Sequence, residues 1–500
     1  MALALLYSRG QLGLKAPLVQ VEVDISRGLP KFSMVGLAEL TVKESKDRVR
    51  SAILNAGFEF PTRRLTVNLS PADLPKEGGR YDLAIAIGIL AASGQLPQDH
   101  LSEYEWFGEL GLSGGLRGIS GCVTALKAVK ASKRKAILAE DNHRDAALVL
   151  PDHALLAKHL RQVCDFLIKG QPLGLVDKAR SHQTQKQSSK DLSDVIGQDM
   201  AKRALMIAAA GGHHMLMVGT PGCGKSMLAE RLSGILPAFA LHDAIELAEI
   251  KSYQQCSVNL CLSRPFRNPH HSLSAAALVG GGSPPLPGEI SHAHRGVLFL
   301  DELPEFAPAV LNTLREPLEK GHITISRVGH QVTFPCRFQL IAAMNPCPCG
   351  YAGFDDGRCR CTADQLSRYK ARISGPLWDR IDLQVPVRAV RANELSQGKK
   401  DLRYSSQSIR LKVEKAIDRQ CLRQGKLNRD LDMDELASYA ALGQEAASYL
   451  HDACDQQALS ARSYHRLLRV ARSIADIASE DQVKLAHLQE AFAFRRLGLP

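Results

Sequence analysis

The octapeptide Gly219-Thr220-Pro221-Gly222-Cys223-Gly224-Lys225-Ser226 constrains this chain more than any other stretch. It has the spacing G-x-x-x-x-G-K-S. The apolar run Met215 to Val218 precedes it, and the helical MLAERLSGIL starts at Met227. A strand, a glycine-rich turn and a helix in that order let backbone N–H groups wrap phosphate oxygens, with the positive end of the helix dipole behind them. Lys225 supplies a charge for the β- and γ-phosphates and Ser226 a hydroxyl for Mg²⁺. Residues Gly219 through Met227 are therefore the candidate nucleotide site.

Two further strands carry matching chemistry. Val297 to Glu302 reads VLFLDE, an apolar run that delivers two carboxylates to its C-terminal end. Asp301 is placed to hold Mg²⁺ through water, and Glu302 to polarise an attacking water. The run FQLIAAMN ends at Asn345, whose amide can orient that water. Together these predict ATP hydrolysis with ATP and Mg²⁺ as the required small molecules.

A chain of 500 residues exceeds one core, and about two to four domains are expected. Residues 178–191, KARSHQTQKQSSKD, read as a polar linker. Residues 1–177 mix strands (Val19 to Ile25, Leu65 to Leu69) with helices (Asp82 to Ala92, Val123 to Val129). Residues 192–390 alternate strands and helices as a largely parallel α/β sheet does. Residues 391–500 are dominated by helical periodicity, as at Tyr464, Leu467, Leu468, Ala471 and Ile474. The longest apolar run, Leu83 to Ala92, is half of a bilayer-spanning helix of roughly 20 residues. The first residues lack a secretory signal, so a cytoplasmic location without membrane attachment is expected.

The order of P-loop, DE-ended strand, Asn-ended strand and helical lid resembles an AAA+ ATPase. PFRNPHHSLSAAALVGGG (Pro265 to Gly282), PGEISHAHRGVLFLDELPEF (Pro287 to Phe306), AAMNPCPCG (Ala342 to Gly350) and ISGPLWDRIDL (Ile373 to Leu383) resemble the magnesium-chelatase-like branch, and within it the YifB/ComM family over essentially the whole chain. The resemblance implies homohexamers with ATP between neighbours. It implies an arginine finger at Arg380, a sensor-2 arginine at Arg462, with Arg372 a weaker candidate for the same interface, and adenine contacts at Val195, Ile196 and Gly197. It further implies a DNA helicase promoting branch migration in homologous recombination during natural transformation. A protein-remodelling or regulatory ATPase and a chelatase-type motor subunit share the same ATP chemistry.

PADLPKEGGRYDLAIAIGILAASG resembles the Ser–Lys protease domain of Lon, a ribosomal S5 domain 2-like α/β domain. Arg80 stands where the serine belongs, and Ser120-Gly121-Cys122 leads to Val123 where the lysine belongs. Without nucleophile and base there is no acyl transfer, so this domain is expected to be proteolytically inactive. Arg63, Arg64, Lys76 and Arg80 suit a DNA-contacting or subunit-packing face, or a solvated one.

Of twelve cysteines, Cys347, Cys349, Cys359 and Cys361 stand apart as two C-x-C pairs. Thiolates suit tetrahedral zinc, giving a structural staple after Asn345. An iron–sulfur cluster and four reduced thiols are the other readings. His270, His271, His292 and His294 are read as structural, the PHHS segment belonging by resemblance to an insertion that faces the ring pore.

Lys+Arg exceed Asp+Glu by 63 to 52, a net charge of +11, which suggests a polyanionic partner. Residues 391–430 hold eleven Lys/Arg against five Asp/Glu, on a DNA-binding or a merely solvated face. ITISRVGHQVTF (Ile323 to Phe334) reads as a β-hairpin with Arg327 and His330 beside its tip. In ring ATPases with this insertion such a hairpin enters the pore, where these side chains would grip DNA backbone without reading bases.

Overall fold

The computed structural model describes residues 2–36, 44–74, 76, 78–177, 190–258, 262–327, 330–353, 358–390, 394, 401–456 and 460–495. Alternation sets the first strands: in Leu18–Ser26, Val19, Val21, Val23 and Ile25 face inward. An eight-stranded sheet contains β1 (Ala2–Arg9), β2 (Leu18–Ser26), β3 (Lys31–Val35), β4 (Arg64–Ser70), β5 (Tyr104–Trp106), β6 (Lys135–Ala139), β7 (Ala154–Ala157) and β8 (Gly174–Leu175). Its order is β8-β7-β6-β5-β1-β2-β4-β3.

Helices α1 (Ser45–Asn55), α2 (Asp82–Ala92) and α3 (Cys122–Ser132) accompany this sheet. Every residue of α2 is buried, and its Gly88 lies against Val23 and Leu6. The buried carboxylate of Asp82 accepts from Arg48 Nε at 2.8 Å and from the Leu110 N–H at 3.3 Å, so this charge is paired. The strands and helices expected before residue 130 are all present.

Two of the four basic residues expected on a surface face are instead interior. Lys76 is fully buried and donates to the Pro71 carbonyl. Arg80 is buried, donating to the Ser120 carbonyl at 3.0 Å and to Gln11. Only Arg63 and Arg64 are exposed. A lysine or arginine in an apolar setting needs oxygen acceptors, and nearby carbonyls supply them here.

The second sheet is built from β9 (Met215–Gly219), β10 (Phe266–Arg267), β11 (Val297–Leu300), β14 (Gln339–Met344) and β15 (Leu383–Val387). Between β11 and β14 lies the expected hairpin, β12 (His322–Arg327) with β13 (His330–Pro335). The sheet order is β10-β11-β14-β9-β15, all parallel. Both faces are covered, so its strands are continuously apolar. Met215 and Met217 enter one core with Ile341 and Ala343, while Leu216 and Val218 enter another with Leu340 and Ala342.

Helices α4 (Asp199–Gly211), α5 (Lys225–Ile235), α6 (Leu241–Ser252), α7 (Ala363–Ala371) and α8 (Gly375–Trp378) belong to this part, followed by α9 (Ser406–Gln424), α10 (Ala461–Ile477) and α11 (Leu485–Ala493). The C-terminal helices share one hydrophobic cluster with the sheet: Ile409, Val413, Leu467 and Ala471 pack with Met217, Val385 and Leu205. The compositional break near residue 391 is therefore not a break in packing. The linker expected at 178–191 lies outside the described residues except for its last two. Asp191 is no solvated linker residue, because it caps the turn at Leu192–Asp194 and accepts from the Ser406 amide at 3.1 Å.

The N-terminal sheet unit also grips the ATPase-like part. Lys127 pairs with Glu249 at 2.7 Å, and Asp145 accepts from the Val258 N–H at 3.0 Å. A Cβ added at Gly13 would lie 2.6 Å from Cγ1 of Val332, on β13. No helix among the described residues is long and apolar enough to cross a membrane.

Candidate nucleotide site

In open parallel sheets ligands bind beyond the carboxyl ends of strands where the strand order reverses. Here that point is the end of β9, flanked by β14 and β15. The turn after β9 is tight: a Cβ at Gly219 would stand 2.2 Å from the Val387 carbonyl oxygen, so only glycine fits. A cleft of about 340 Å³ opens above it, lined by Pro221 to Met227, Asp301, Glu302, Met344 and Asn345. The spacing-based expectation thus brings together residues from three strands that are far apart in sequence.

Lys225 donates through Nζ to the carbonyls of Gly219 (2.8 Å) and Thr220 (3.0 Å) and to Asn345 Oδ1 at 3.0 Å. Ser226 Oγ donates to Asp301 Oδ2 at 2.5 Å. A hydroxyl and a carboxylate in contact form a hard-oxygen pair suited to Mg²⁺, so the residues present fit that ion. Glu302 has a left-handed backbone, φ 52°, held by its own N–H donating to Asp301 Oδ1 at 3.0 Å. Such strain in a non-glycine residue is kept where a side chain must be aimed.

His271, read from the sequence as structural, contacts Glu302. Its Nδ1 lies 3.3 Å from Glu302 Oε2, with its ring tilted 33° against His270 at 4.1 Å and edge-on to Phe306 at 6.4 Å. The PHHS segment therefore reaches the carboxylate beside the cleft. Of the other three histidines, His270 Nδ1 lies 2.9 Å from Ser272 Oγ, His294 bonds Glu246 Oε2 at 3.0 Å, and burial lowers the pKa of His292.

Of the residues expected at adenine, Val195 is buried and Ile196 partly so. Gln198, after Gly197, donates to the Arg388 carbonyl at 2.6 Å, tying this turn to the end of β15. Neither Arg380 nor Arg462 lines the cleft. Both line a separate cavity of about 830 Å³, together with Lys320, Lys426, Arg429, Arg466 and Arg469. Arg380 is buried and pairs with Glu319, whereas Arg462 is exposed. Arg466 is buried with Nη1 unpartnered, and burial brings its pKa down to about 10. Arg372 pairs with Glu305 at 3.0 Å.

The hairpin presents an exposed Arg327, directly paired in register with His330. Gly281 of the preceding insertion approaches its guanidinium, a Cβ there lying 3.7 Å from Nη2. The basic run 391–430 is largely occupied within the chain. Arg403 pairs with Asp401, Arg419 with Asp481, Arg423 with Asp476 and Lys426 with Glu435. Arg410 and Arg429 donate to carbonyls of Gly234 and Gly212. Among its described cations, Lys412 and Lys415 stand exposed without such a bond. The four clustered thiols are compatible with zinc: their Sγ atoms lie within 4.8 Å of one another.

Family comparisons agree with this geometry along the chain. Residues 191–395 match a family model described as magnesium chelatase, subunit ChlI, and residues 403–495 match its C-terminal counterpart. Residues 21–142 match a model described as subunit ChlI of Mg-chelatase, so the N-terminal part does not by itself set the chain apart from chelatase subunits. The chain is 48% identical over 503 residues to the competence protein ComM of Haemophilus influenzae, covering 99% of this chain and 98% of that one. It is 47% identical over 509 residues to YifB of Escherichia coli, with the same coverage. A magnesium-chelatase 67 kDa subunit of Chlorobaculum parvum is 27% identical over 158 residues, 31% of this chain and 23% of that protein.

Proposed function

The chain belongs to the magnesium-chelatase-like family that includes YifB and ComM, and on that premise we propose that it is an ATP-hydrolysing ring motor that moves along DNA. The observation that carries the ATPase reading is the convergence of Lys225 on Asn345 and of Ser226 on Asp301. Lys225 exchanges backbone carbonyls for phosphate oxygens. Glu302 takes the proton of the attacking water, and Asn345 orients that water. Ser226 and Asp301 would hold Mg²⁺, which when bound would neutralise charge on the phosphates. His271 holds Glu302 from its far side.

Arg380 and Arg462 share a cavity outside the cleft, which suits delivery to the nucleotide of an adjacent subunit in a hexamer. Stabilising charge on the transferring phosphoryl group is the role of such arginines. Val195, Ile196 and Gly197 would border the adenine. The N-terminal unit, on this reading, is a Lon-like fold without a Ser–Lys pair. Arg80 bridges to Ser120 across the place where that chemistry would sit.

DNA is the proposed track because Arg327 is exposed near the hairpin tip and because a relative at 48% identity is named for competence. Branch migration during recombination in transformation is the corresponding biological role. A protein-remodelling ATPase is the second reading, favoured by the internal pairing of the basic run 391–430. Measuring ATP turnover alone and with single-stranded, duplex and branched DNA separates the two. Stimulation with strand displacement supports the motor; indifference to all three DNA forms supports the remodeller.

A further inference from the structure

The four-cysteine cluster lies beside the nucleotide cleft without lining it. Sγ of Cys347 is 3.2 Å from that of Cys349 and 3.8 Å from that of Cys359, and Cys349 to Cys359 is 3.7 Å. Four thiolates at about 2.3 Å around a tetrahedral zinc stand about 3.8 Å apart. Two of these separations already have that spacing, and all four Sγ atoms lie within 4.8 Å of one another, as around a single ion, whereas an iron–sulfur cluster of two or more irons would set some of its cysteines farther apart. The Tyr351 and Ala352 N–H groups both donate to Cys347 Sγ at 3.2 Å, which fixes that sulfur within the loop. None of the four forms a disulfide.

The cluster joins three pieces of the active part. Cys347 follows Asn345 by two residues at the end of β14. Gly350, between the cysteine pairs, has φ +89°, and a Cβ there would lie 2.7 Å from Cδ of Pro221 in the P-loop. Cys361 immediately precedes Thr362, the N-cap of α7, where Thr362 and Gln365 form a reciprocal capping box. Beyond α7 the chain runs through Arg372 to α8 and Arg380.

We propose that Cys347, Cys349, Cys359 and Cys361 bind one zinc ion, and that this ion clamps the segment after β14 against the P-loop, so that metal occupancy sets affinity for ATP. Binding converts the thiols to thiolates and releases their protons to solvent, up to four per ion. Removing zinc frees Gly350 from Pro221 and loosens the loop that must wrap the phosphates. The metal site stands on the thiols alone; the coupling to ATP rests on the nucleotide reading.

The test uses the full chain, purified without chelator, with metals counted by mass spectrometry and ATP affinity followed with a fluorescent ATP analogue. Expected are about one zinc per chain, its loss in Cys359→Ser and Cys361→Ser, its retention in Cys421→Ser, and about tenfold weaker nucleotide binding without zinc. A thiol-specific mercurial on the wild-type chain, then thiol and zinc to reverse it, supplies the same comparison should a variant misfold. Absence of zinc before and after supplementation, or iron with visible absorption, overturns the site. Zinc whose removal leaves nucleotide affinity unchanged overturns the clamp. Zinc present with no nucleotide binding in either form overturns the nucleotide reading and the clamp, and leaves the metal site standing.

Discussion

Lys225 and Glu302 face the same cleft with different duties, and their variants should fail differently. Lys225→Ala is expected to lose ATP binding, read by the fluorescent analogue. Glu302→Gln should still bind ATP while turnover falls about 10²- to 10⁴-fold, the usual worth of a general base. His271→Ala should change kcat with little change in KM, since His271 touches Glu302 and not the phosphate loop; His271→Asn, which keeps a donor, should recover part of it. Lys225, Ser226, Asp301, Glu302 and Asn345 were legible because each sits just past a strand end or in the first turn of α5, where local geometry fixes it. His271 was not, because its contact depends on how a long insertion folds back across the sheet.

A second residue-scale expectation concerns acid. His214 is buried and its Nδ1 accepts the Leu340 N–H at 3.0 Å, which requires a neutral ring. Burial, followed by the charge of Arg429, brings its pKa down to about 3. In the unfolded chain it returns to about 6.5. Below that value the unfolded state takes a proton that the folded state refuses, so this contribution is complete above about pH 6.5 and is lost as pH falls toward 3. The loss would reach on the order of 3 kcal/mol by about pH 4. Urea unfolding midpoints should show that slope in the wild-type chain and a shallower one in His214→Gln.

At the scale of elements, α10 carries Arg462, Arg466 and Arg469 at helical spacing, all on the cavity that also holds Arg380. If these arginines serve a neighbour's nucleotide, Arg380→Ala and Lys225→Ala chains are each inactive alone. Mixed, they should regain turnover, because an intact P-loop can then meet an intact Arg380 across an interface. No recovery in mixed, subunit-exchanged rings would place Arg380 in its own subunit's site. The helical character of α10 was plain from Tyr464, Leu467, Leu468, Ala471 and Ile474. Its merger with the sheet core was not, since a periodic apolar face does not say which surface covers it. The same gap explains Lys76 and Arg80: charge in a sequence predicts exposure, and only the folded carbonyls around them show otherwise.

Across the whole molecule, the net charge of +11 suggests an anionic partner without saying where it would bind. Six described cations of the run 391–430 have internal partners, while Arg327 of the hairpin stands exposed. DNA affinity is expected to fall steeply with salt. Arg327→Ala should reduce the slope of log affinity against log salt by about one, the share of a single neutralised phosphate. Equal slopes in the two proteins would remove Arg327 from the DNA surface.

The close approach of Gly13 to Val332 ties the N-terminal sheet unit to that same hairpin. A side chain at position 13 would occupy the volume now held by a Val332 methyl, so the two positions share one space. Gly13 also has φ +59°, a left-handed backbone that disfavours any side chain, so related chains should keep glycine at 13 even where 332 becomes smaller. The hairpin's sequence is then answerable to a loop in another sheet as well as to whatever passes its tip.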